Sequence, residues 1–168
     1  QQAWEHEYAV KRFMTGDKPP KSVLKFAKFL KKNGVDITES RVLDLGSGEG
    51  KNAMYLAGLG ANVDCIEIAA NAVETAKNKA RDAHLGTLVR VQQGSIGEVY
   101  DFPDNTFDVV VDVTSSNSLT EAEREMYLSE SHRVLKDSGY MLVRALCKDG
   151  DHNAKKLLKD YTRAEHDN

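Results

Sequence analysis

Three glycines at alternate positions follow directly on a short apolar run that carries one acid. The run is Val42 to Leu45, with Asp44 inside it, and the glycines belong to the segment Gly46-Ser47-Gly48-Glu49-Gly50. Glycine tolerates positive φ and lets a backbone approach a ligand with no side chain in between. A strand that ends in such a turn and opens into a helix, predicted here over 51–59, directs free N–H groups and a positive dipole end toward a ligand. This segment is therefore the first candidate for a binding site.

Two residues beside the glycines argue against a dinucleotide ligand. A dinucleotide fingerprint, G-x-G-x-x-G, needs its third glycine at position 51, where the chain has Lys51. Asp44 stands at the carboxyl end of the predicted strand, where it could accept hydrogen bonds from a cationic or hydroxylated ligand. The same carboxylate would repel a pyrophosphate.

A second acid, Glu67, stands near the carboxyl end of the next apolar run, Val63 to Ile68. Its separation from the glycine segment is that expected when a βαβ unit places an acid beside a ribose. A carboxylate there can accept two hydrogen bonds from vicinal hydroxyls. Because Glu67 could also bind the ribose of NAD, a nicotinamide-dependent oxidoreductase stays a less favoured alternative.

The composition limits the partners. A chain of 168 residues with 40% hydrophobic content predicts one domain with a real core, and a net charge of −3 gives no general attraction to nucleic acid or to an anionic membrane. Cys65 and Cys147 form no C-x-x-C pattern, which fits a reducing compartment. No run approaches the roughly 18 to 20 apolar residues of a membrane span. The sequence therefore predicts a cytoplasmic protein with no membrane partner, and the histidine spacing predicts no metal site.

Hydrophobic periodicity predicts the elements that carry these residues. Apolar residues at helical spacing and short runs rich in valine and isoleucine alternate along the chain. Thr120 and Glu123 form a capping box for a long helix. The predicted helices are 1–14, 21–32, 51–59, 71–82 and 120–135, and the strands follow at 42–45, 63–68, 88–92 and 107–113, with a fifth after a turn within 133–143.

Four segments in order, spanning about residues 41–143, resemble the class I methyltransferases that use S-adenosylmethionine. They are the acidic strand with its G-x-G-x-G turn, Glu67, the strand Phe107 to Val113, and the unit Arg133 to Val143. The resemblance implies a doubly wound α/β fold, with a mostly parallel sheet of order 3-2-1-4-5 and helices on both faces. Arg133 to Val143 departs from the family in having Asp-Ser-Gly where Pro-Gly-Gly is usual.

The resemblance also implies a cofactor site. Glu67 would bind the ribose, Ile68 would pack on the adenine, and Asp112 would lie near the methionine end. Where the family commonly has Gly-Asp the chain has Gly94-Ser95, which leaves the adenine amino group to a neutral acceptor or to backbone. An N-terminal segment with a tryptophan and a tyrosine would lie over the cofactor. The implied cofactor-binding residues are Tyr8, Asp44, Gly46, Ser47, Gly48, Gly50, Glu67, Ile68, Gly94, Ser95, Ile96 and Asp112.

We expect a single domain over residues 1–168. It would comprise an N-terminal helical segment (1–34), a cofactor-binding core (41–145) and a polar helical tail (146–168). The tail shows no sequence for the family's C-terminal β6/β7 hairpin, so an uncovered edge of the fifth strand is expected to favour a homo-oligomer.

Methyl transfer from S-adenosylmethionine, with S-adenosylhomocysteine as the product, is the preferred hypothesis. A small molecule is the first choice of acceptor, and RNA or protein stays open. The Asn-Pro-Pro-Tyr motif of enzymes that methylate nucleic-acid amines is absent after Asp112, where Thr114 to Ser118 form a polar loop. No catalytic base is identified, since a general base is optional for this chemistry. A non-catalytic S-adenosylmethionine-binding or partner module is the alternative.

Overall fold

The computed structural model describes residues 2–9 and 18–146, which contain five α-helices and five strands near the predicted positions. The elements are α1 (Gln2–Ala9), α2 (Lys21–Lys32), β1 (Arg41–Leu45), α3 (Lys51–Gly58), β2 (Asn62–Glu67), α4 (Ala70–Asp82), β3 (Val89–Gln93), β4 (Phe107–Val113), α5 (Glu121–Val134) and β5 (Leu135–Arg144). The part of the N-terminal helix predicted beyond Ala9, and the polar tail from 147 onward, lie outside the described residues.

The strands form one sheet of order β3-β2-β1-β4-β5, and each neighbouring pair is parallel. The predicted doubly wound fold is confirmed. Asp44 of β1 stands level with Cys65 of β2 and Val111 of β4, so β1 is the central strand. Because the order reverses between β1 and β4, their carboxyl ends open into the crevice where such sheets bind ligands.

The two faces of the sheet are covered by different helices. One core cluster joins Val42 and Val109 to apolar residues of α2, α3 and α4, and a second joins Leu43 and Val110 to residues of α5. Successive strand residues point to opposite faces, so β4 is buried on both sides, and its run of valines suits that position.

Helix α5 begins with the predicted capping box. The Thr120 hydroxyl accepts a hydrogen bond from the backbone N–H of Glu123, and the Glu123 carboxylate accepts one from the backbone N–H of Thr120. The turn expected after α5 is instead a bulge inside β5. Leu135 already pairs with Phe107, and the segment Lys136 to Gly139 bulges out opposite Asp108, whose carboxylate accepts a 2.6 Å hydrogen bond from Lys136.

Strand β5 is an edge strand within the described ranges, since it pairs with β4 on one side only. None of the helices in residues 2–9 and 18–146 is both long enough and apolar enough to cross a membrane.

Candidate active site

A cavity of about 490 Å³ opens at the carboxyl ends of the strands, beneath helix α1. Its size falls in the range of small-molecule sites. Nine of the twelve predicted site residues line it: Tyr8, Gly46, Ser47, Gly48, Glu67, Ile68, Gly94, Ser95 and Ile96. The structure therefore brings together residues from α1 and from the ends of three strands.

The glycine turn packs closely against Ser115 and Tyr8. Gly46, Gly48 and Gly50 all have positive φ, of 64°, 55° and 81°. A Cβ at Gly46 would strike the side chain of Ser115, and one at Gly48 would strike the hydroxyl of Tyr8. Both positions therefore require glycine for conformation and for space.

Three amides of this turn form hydrogen bonds within the protein. Gly46 and Ser47 both donate to the carbonyl of Ile66, at 2.8 and 3.2 Å, and Gly48 donates to the carboxylate of Glu67 at 2.8 Å. Gly50 does not line the cavity, because it is the N-cap of α3 and packs against Ala76. The turn thus bounds the cavity mainly by its shape.

Glu67 is buried at the end of β2 and faces the cavity. One carboxylate oxygen accepts from the amide of Gly48 and the other from the amide of Ala69, at 2.8 and 2.9 Å. Burial raises the pKa of Glu67, while these two hydrogen bonds act in the opposite direction. The carboxylate is therefore held in one orientation, and its remaining lone pairs can accept hydrogen bonds from a ligand.

Asp44 does not line the cavity, and its predicted contact with a ligand stays a prediction. It is fully buried on the same face of the sheet as Val42, beneath α3. Burial raises the pKa of Asp44 to about 7, with Asn52 of α3 opposing the shift and the carboxylate of Asp112 adding to it. Asp44 therefore lies in the core, on the side of the glycine turn that faces away from the cavity.

Asp112 is also fully buried, and it holds the loop after β4. Its carboxylate accepts hydrogen bonds from the amide of Ser115 and the hydroxyl of Tyr127, both at 2.9 Å. Thr114 and Ser115 of that loop line the cavity, whereas Asp112 does not. Asp112 therefore acts on the site through the loop that it positions.

Ser95 replaces the usual aspartate on the wall formed with Ile68 and Ile96. Its hydroxyl oxygen accepts a 3.1 Å hydrogen bond from the amide of Gly97. The hydroxyl hydrogen can still be donated, so Ser95 offers a ligand a donor as well as an acceptor.

Helix α1 is attached over the cavity by Glu5. The Glu5 carboxylate accepts a 2.7 Å hydrogen bond from the amide of Ala70, and Asn71 donates from its side chain to the Glu5 carbonyl at 3.0 Å. This contact brings Trp4 and Tyr8 into the cavity wall. Burial raises the pKa of Tyr8, and the nearby carboxylate of Glu67 raises it further.

The cationic residues of the site were not predicted from the sequence. Lys51, Lys79 and Arg144 line the cavity, and Lys79 forms a 2.7 Å ion pair with Glu49. Lys51 directly follows the glycine turn, which was a usable signal, whereas Lys79 lies far along α4 and Arg144 ends β5. No group of three His, Cys, Asp or Glu residues within 2–9 and 18–146 could hold a metal ion.

Residues 43–143 match the family model described as a methyltransferase domain. The chain belongs to this methyltransferase domain family. Its fold is that of the class I S-adenosylmethionine-dependent methyltransferases, so the resemblance seen in the sequence is confirmed. The matched region contains Glu67, the glycine turn and the loop after β4, which together form most of the cavity wall.

N-methyltransferases are among the relatives of this methyltransferase domain. The chain is 38% identical over 112 residues to a glycine/sarcosine/dimethylglycine N-methyltransferase of Actinopolyspora halophila, a match that covers 64% of the chain and 19% of the relative. It is 33% identical over 101 residues to a sarcosine/dimethylglycine N-methyltransferase of Aphanothece halophytica, covering 60% of the chain and 35% of the relative. A solved S-adenosylmethionine-dependent methyltransferase of Aquifex aeolicus superimposes with a TM-score of 0.63 at 26% identity, covering 75% of the chain and 66% of that structure.

Proposed function

We propose that the cavity binds S-adenosylmethionine and that the protein transfers its methyl group to a small-molecule acceptor, releasing S-adenosylhomocysteine. The observation that carries the proposal is Glu67, a buried carboxylate that faces the cavity and is held by two backbone amides. The names of the curated relatives support a small acceptor, since those proteins are described as methylating glycine derivatives. The chain spans about a fifth and a third of their length, so the activity is inferred from the site.

The residues present fit this cofactor. Gly46 and Gly48 line the cavity without side chains, which suits the close approach of a ligand to the backbone. Glu67 would accept hydrogen bonds from the ribose hydroxyls, and Ile68 and Ile96 would contact the adenine, with Ser95 offering a hydrogen bond at its edge. We extend the proposal to the other predicted binding residues that line the cavity, Tyr8 and Ser47.

The bound cofactor would supply an electrophilic methyl group on its sulfonium. The protein's own contribution is to hold the acceptor in line with that group and to keep water away. Trp4 and Tyr8 of α1 cover the cavity and serve the second purpose. The cavity-lining carboxylate of Glu123 is hydrogen bonded to Thr120 in the capping box, and we therefore assign the catalysis to positioning rather than to a named base.

Trp4, the single tryptophan of the sequence, gives a direct test because it lines the cavity. S-adenosylmethionine and NADH are titrated separately while tryptophan fluorescence is recorded, and methyl transfer to a panel of small amines, alcohols and thiols is then measured as S-adenosylhomocysteine release. Saturable binding of the methyl donor with transfer to at least one acceptor supports the proposal. Binding without transfer to any acceptor favours a non-catalytic module, and binding of NADH alone favours an oxidoreductase.

We also propose a cytoplasmic location, supported by the cysteine usage, and self-association through the edge of β5. An RNA or protein acceptor is the alternative to a small molecule. Fractionation of the native source tests the cytoplasmic location, and light scattering of the purified protein tests the self-association. A location outside the cytoplasm or a monomer at all concentrations would contradict the respective proposal.

A further inference from the structure

Arg144 lines the cavity at the end of a strand well separated from that of Glu67. Glu67 ends β2 and Arg144 ends β5, and the sheet order places these strands three positions apart. At about 4.8 Å between neighbouring strands, the two positions are separated by roughly 14 Å. Both residues line the same cavity. A ligand bound by Glu67 at one end therefore leaves Arg144 to contact a second molecule at the other.

The backbone of Arg144 is fixed by the sheet. Its carbonyl accepts a 2.7 Å hydrogen bond from the amide of Thr114, a residue that also lines the cavity, and Arg144 pairs with Val113 in the strand register. The side chain is exposed, and its guanidinium forms no hydrogen bond or ion pair with any of the residues that the structure describes. A binding group that starts from a strand end is better positioned than one on a loop.

The carboxylates that line the cavity are engaged elsewhere. Glu49 pairs with Lys79, Glu123 accepts hydrogen bonds from Thr120, and Glu67 accepts from two backbone amides. None of these three carboxylates therefore forms an ion pair with Arg144 in the described part of the chain.

A second cation strengthens the positive charge beside Arg144. Lys51 lines the cavity at the start of α3. Burial lowers the pKa of Lys51, and the charges of Lys79 and Arg144 lower it further, while the carboxylate of Glu49 acts in the opposite direction. Lys51 and Arg144 therefore lie close enough for their charges to interact, and both would attract an anion in the cavity.

We infer that the methyl acceptor carries a carboxylate or phosphate group and that Arg144 binds this group. The planar guanidinium donates two parallel hydrogen bonds to either anion, a geometry that a lysine cannot reproduce. The inference rests on the proposed function, because the proposed function assigns the opposite end of the cavity to the cofactor. It makes Arg144 a specificity determinant that acts on the acceptor and leaves the binding of the cofactor unchanged.

The test uses protein saturated with S-adenosylhomocysteine, to which acetate, methyl phosphate and acetamide are titrated by calorimetry. Wild type is compared with Arg144→Gln, Arg144→Lys and Lys28→Gln, which removes one charge from an exposed position on α2. We expect acetate or methyl phosphate to bind wild type and Lys28→Gln equally, at least tenfold more weakly to Arg144→Gln, and with intermediate affinity to Arg144→Lys. Acetamide, the neutral match of acetate, should not bind. The tighter of the two anions identifies the group.

Three results would overturn the inference: equal binding of acetate and acetamide, unchanged anion binding by Arg144→Gln, or no anion binding by loaded wild type. If S-adenosylhomocysteine itself fails to bind wild type, the proposed function fails and the inference falls with it. If Arg144→Gln loses S-adenosylhomocysteine, the arginine belongs to the cofactor site, which also contradicts the inference.

Discussion

The hydroxyl of Ser115 donates a 3.0 Å hydrogen bond to the carbonyl oxygen of Gly46. This bond connects the loop after β4 to the glycine turn after β1, so the two loops that face each other across the sheet's reversal point are held as one wall. The carboxylate of Asp112 also holds this loop, by accepting a hydrogen bond from the amide of Ser115. The cavity is therefore shaped before any ligand enters, which reduces the ordering that binding must impose.

Gly46→Ala is expected to destabilise the protein and to weaken cofactor binding. The new Cβ would strike Ser115, and φ of 64° is unfavourable for alanine. We expect a loss of about 1 to 3 kcal/mol in the free energy of unfolding, measured by urea denaturation. Gly58→Ala is the matched control, because Gly58 ends α3 with no neighbour within 4 Å of its Cβ position. A comparable loss in the control would contradict the steric explanation.

Tyr127→Phe removes the only side-chain hydroxyl that donates to Asp112 in the described residues. Because the partner is a fully buried carboxylate, we expect a loss of about 1 to 3 kcal/mol in stability. Tyr140→Phe is the control, since the Tyr140 hydroxyl makes no hydrogen bond within the described ranges. Thermal unfolding of both variants measures the difference, and equal stabilities would show that the Asp112 contact contributes nothing.

Glu5→Ala is expected to detach α1 from the body of the protein. The Glu5 carboxylate of α1 caps α4 by accepting a hydrogen bond from the amide of Ala70. The N-cap residue of α4 itself, Ala69, supplies no side-chain hydrogen bond. Loss of such a cap costs about 0.5 to 2 kcal/mol. We expect faster dissociation of S-adenosylmethionine in stopped-flow fluorescence, because Trp4 would leave the cavity wall. His6→Ala, an exposed change on the same helix, should leave the dissociation rate unchanged, and equal rates in all three proteins would contradict this role for Glu5.

Asp44→Asn should stabilise the protein in a manner that depends on pH. The folded state raises the pKa of Asp44 to about 7, so the native protein binds more protons than the unfolded chain between about pH 4 and pH 7. The stability contributed by Asp44 is therefore complete at low pH and is lost as the pH rises through 7. We expect the advantage of the variant to grow by on the order of 2 to 4 kcal/mol from pH 4 to pH 8, measured by urea denaturation. A difference that is independent of pH would contradict the burial of an ionising carboxylate.

The sequence predicted those residues of the cavity whose place in the fold follows from the local sequence pattern around them. Glu67 was identifiable because a strand end, an acid and a βαβ spacing coincide. Asp44 was predicted to contact the ligand because it adjoins the glycine turn. The twofold periodicity of a strand instead places it on the face that α3 covers. Arg144 gave no local signal, since its place in the cavity depends on the pairing of β5 with β4. Lys79 and Glu49 likewise meet only when α4 packs beside the turn.

The binding of S-adenosylmethionine to wild type, Glu67→Gln and Glu98→Gln, measured by isothermal titration calorimetry, tests the central claim most directly. Glu98 is exposed and does not line the cavity, so its variant removes the same charge without touching the site. We predict that Glu67→Gln loses about 1.5 to 3 kcal/mol of binding free energy, or roughly 10- to 150-fold in affinity, while Glu98→Gln matches wild type. Equal affinities in all three proteins, or no binding by wild type, would contradict the assignment of this cavity to the methyl donor.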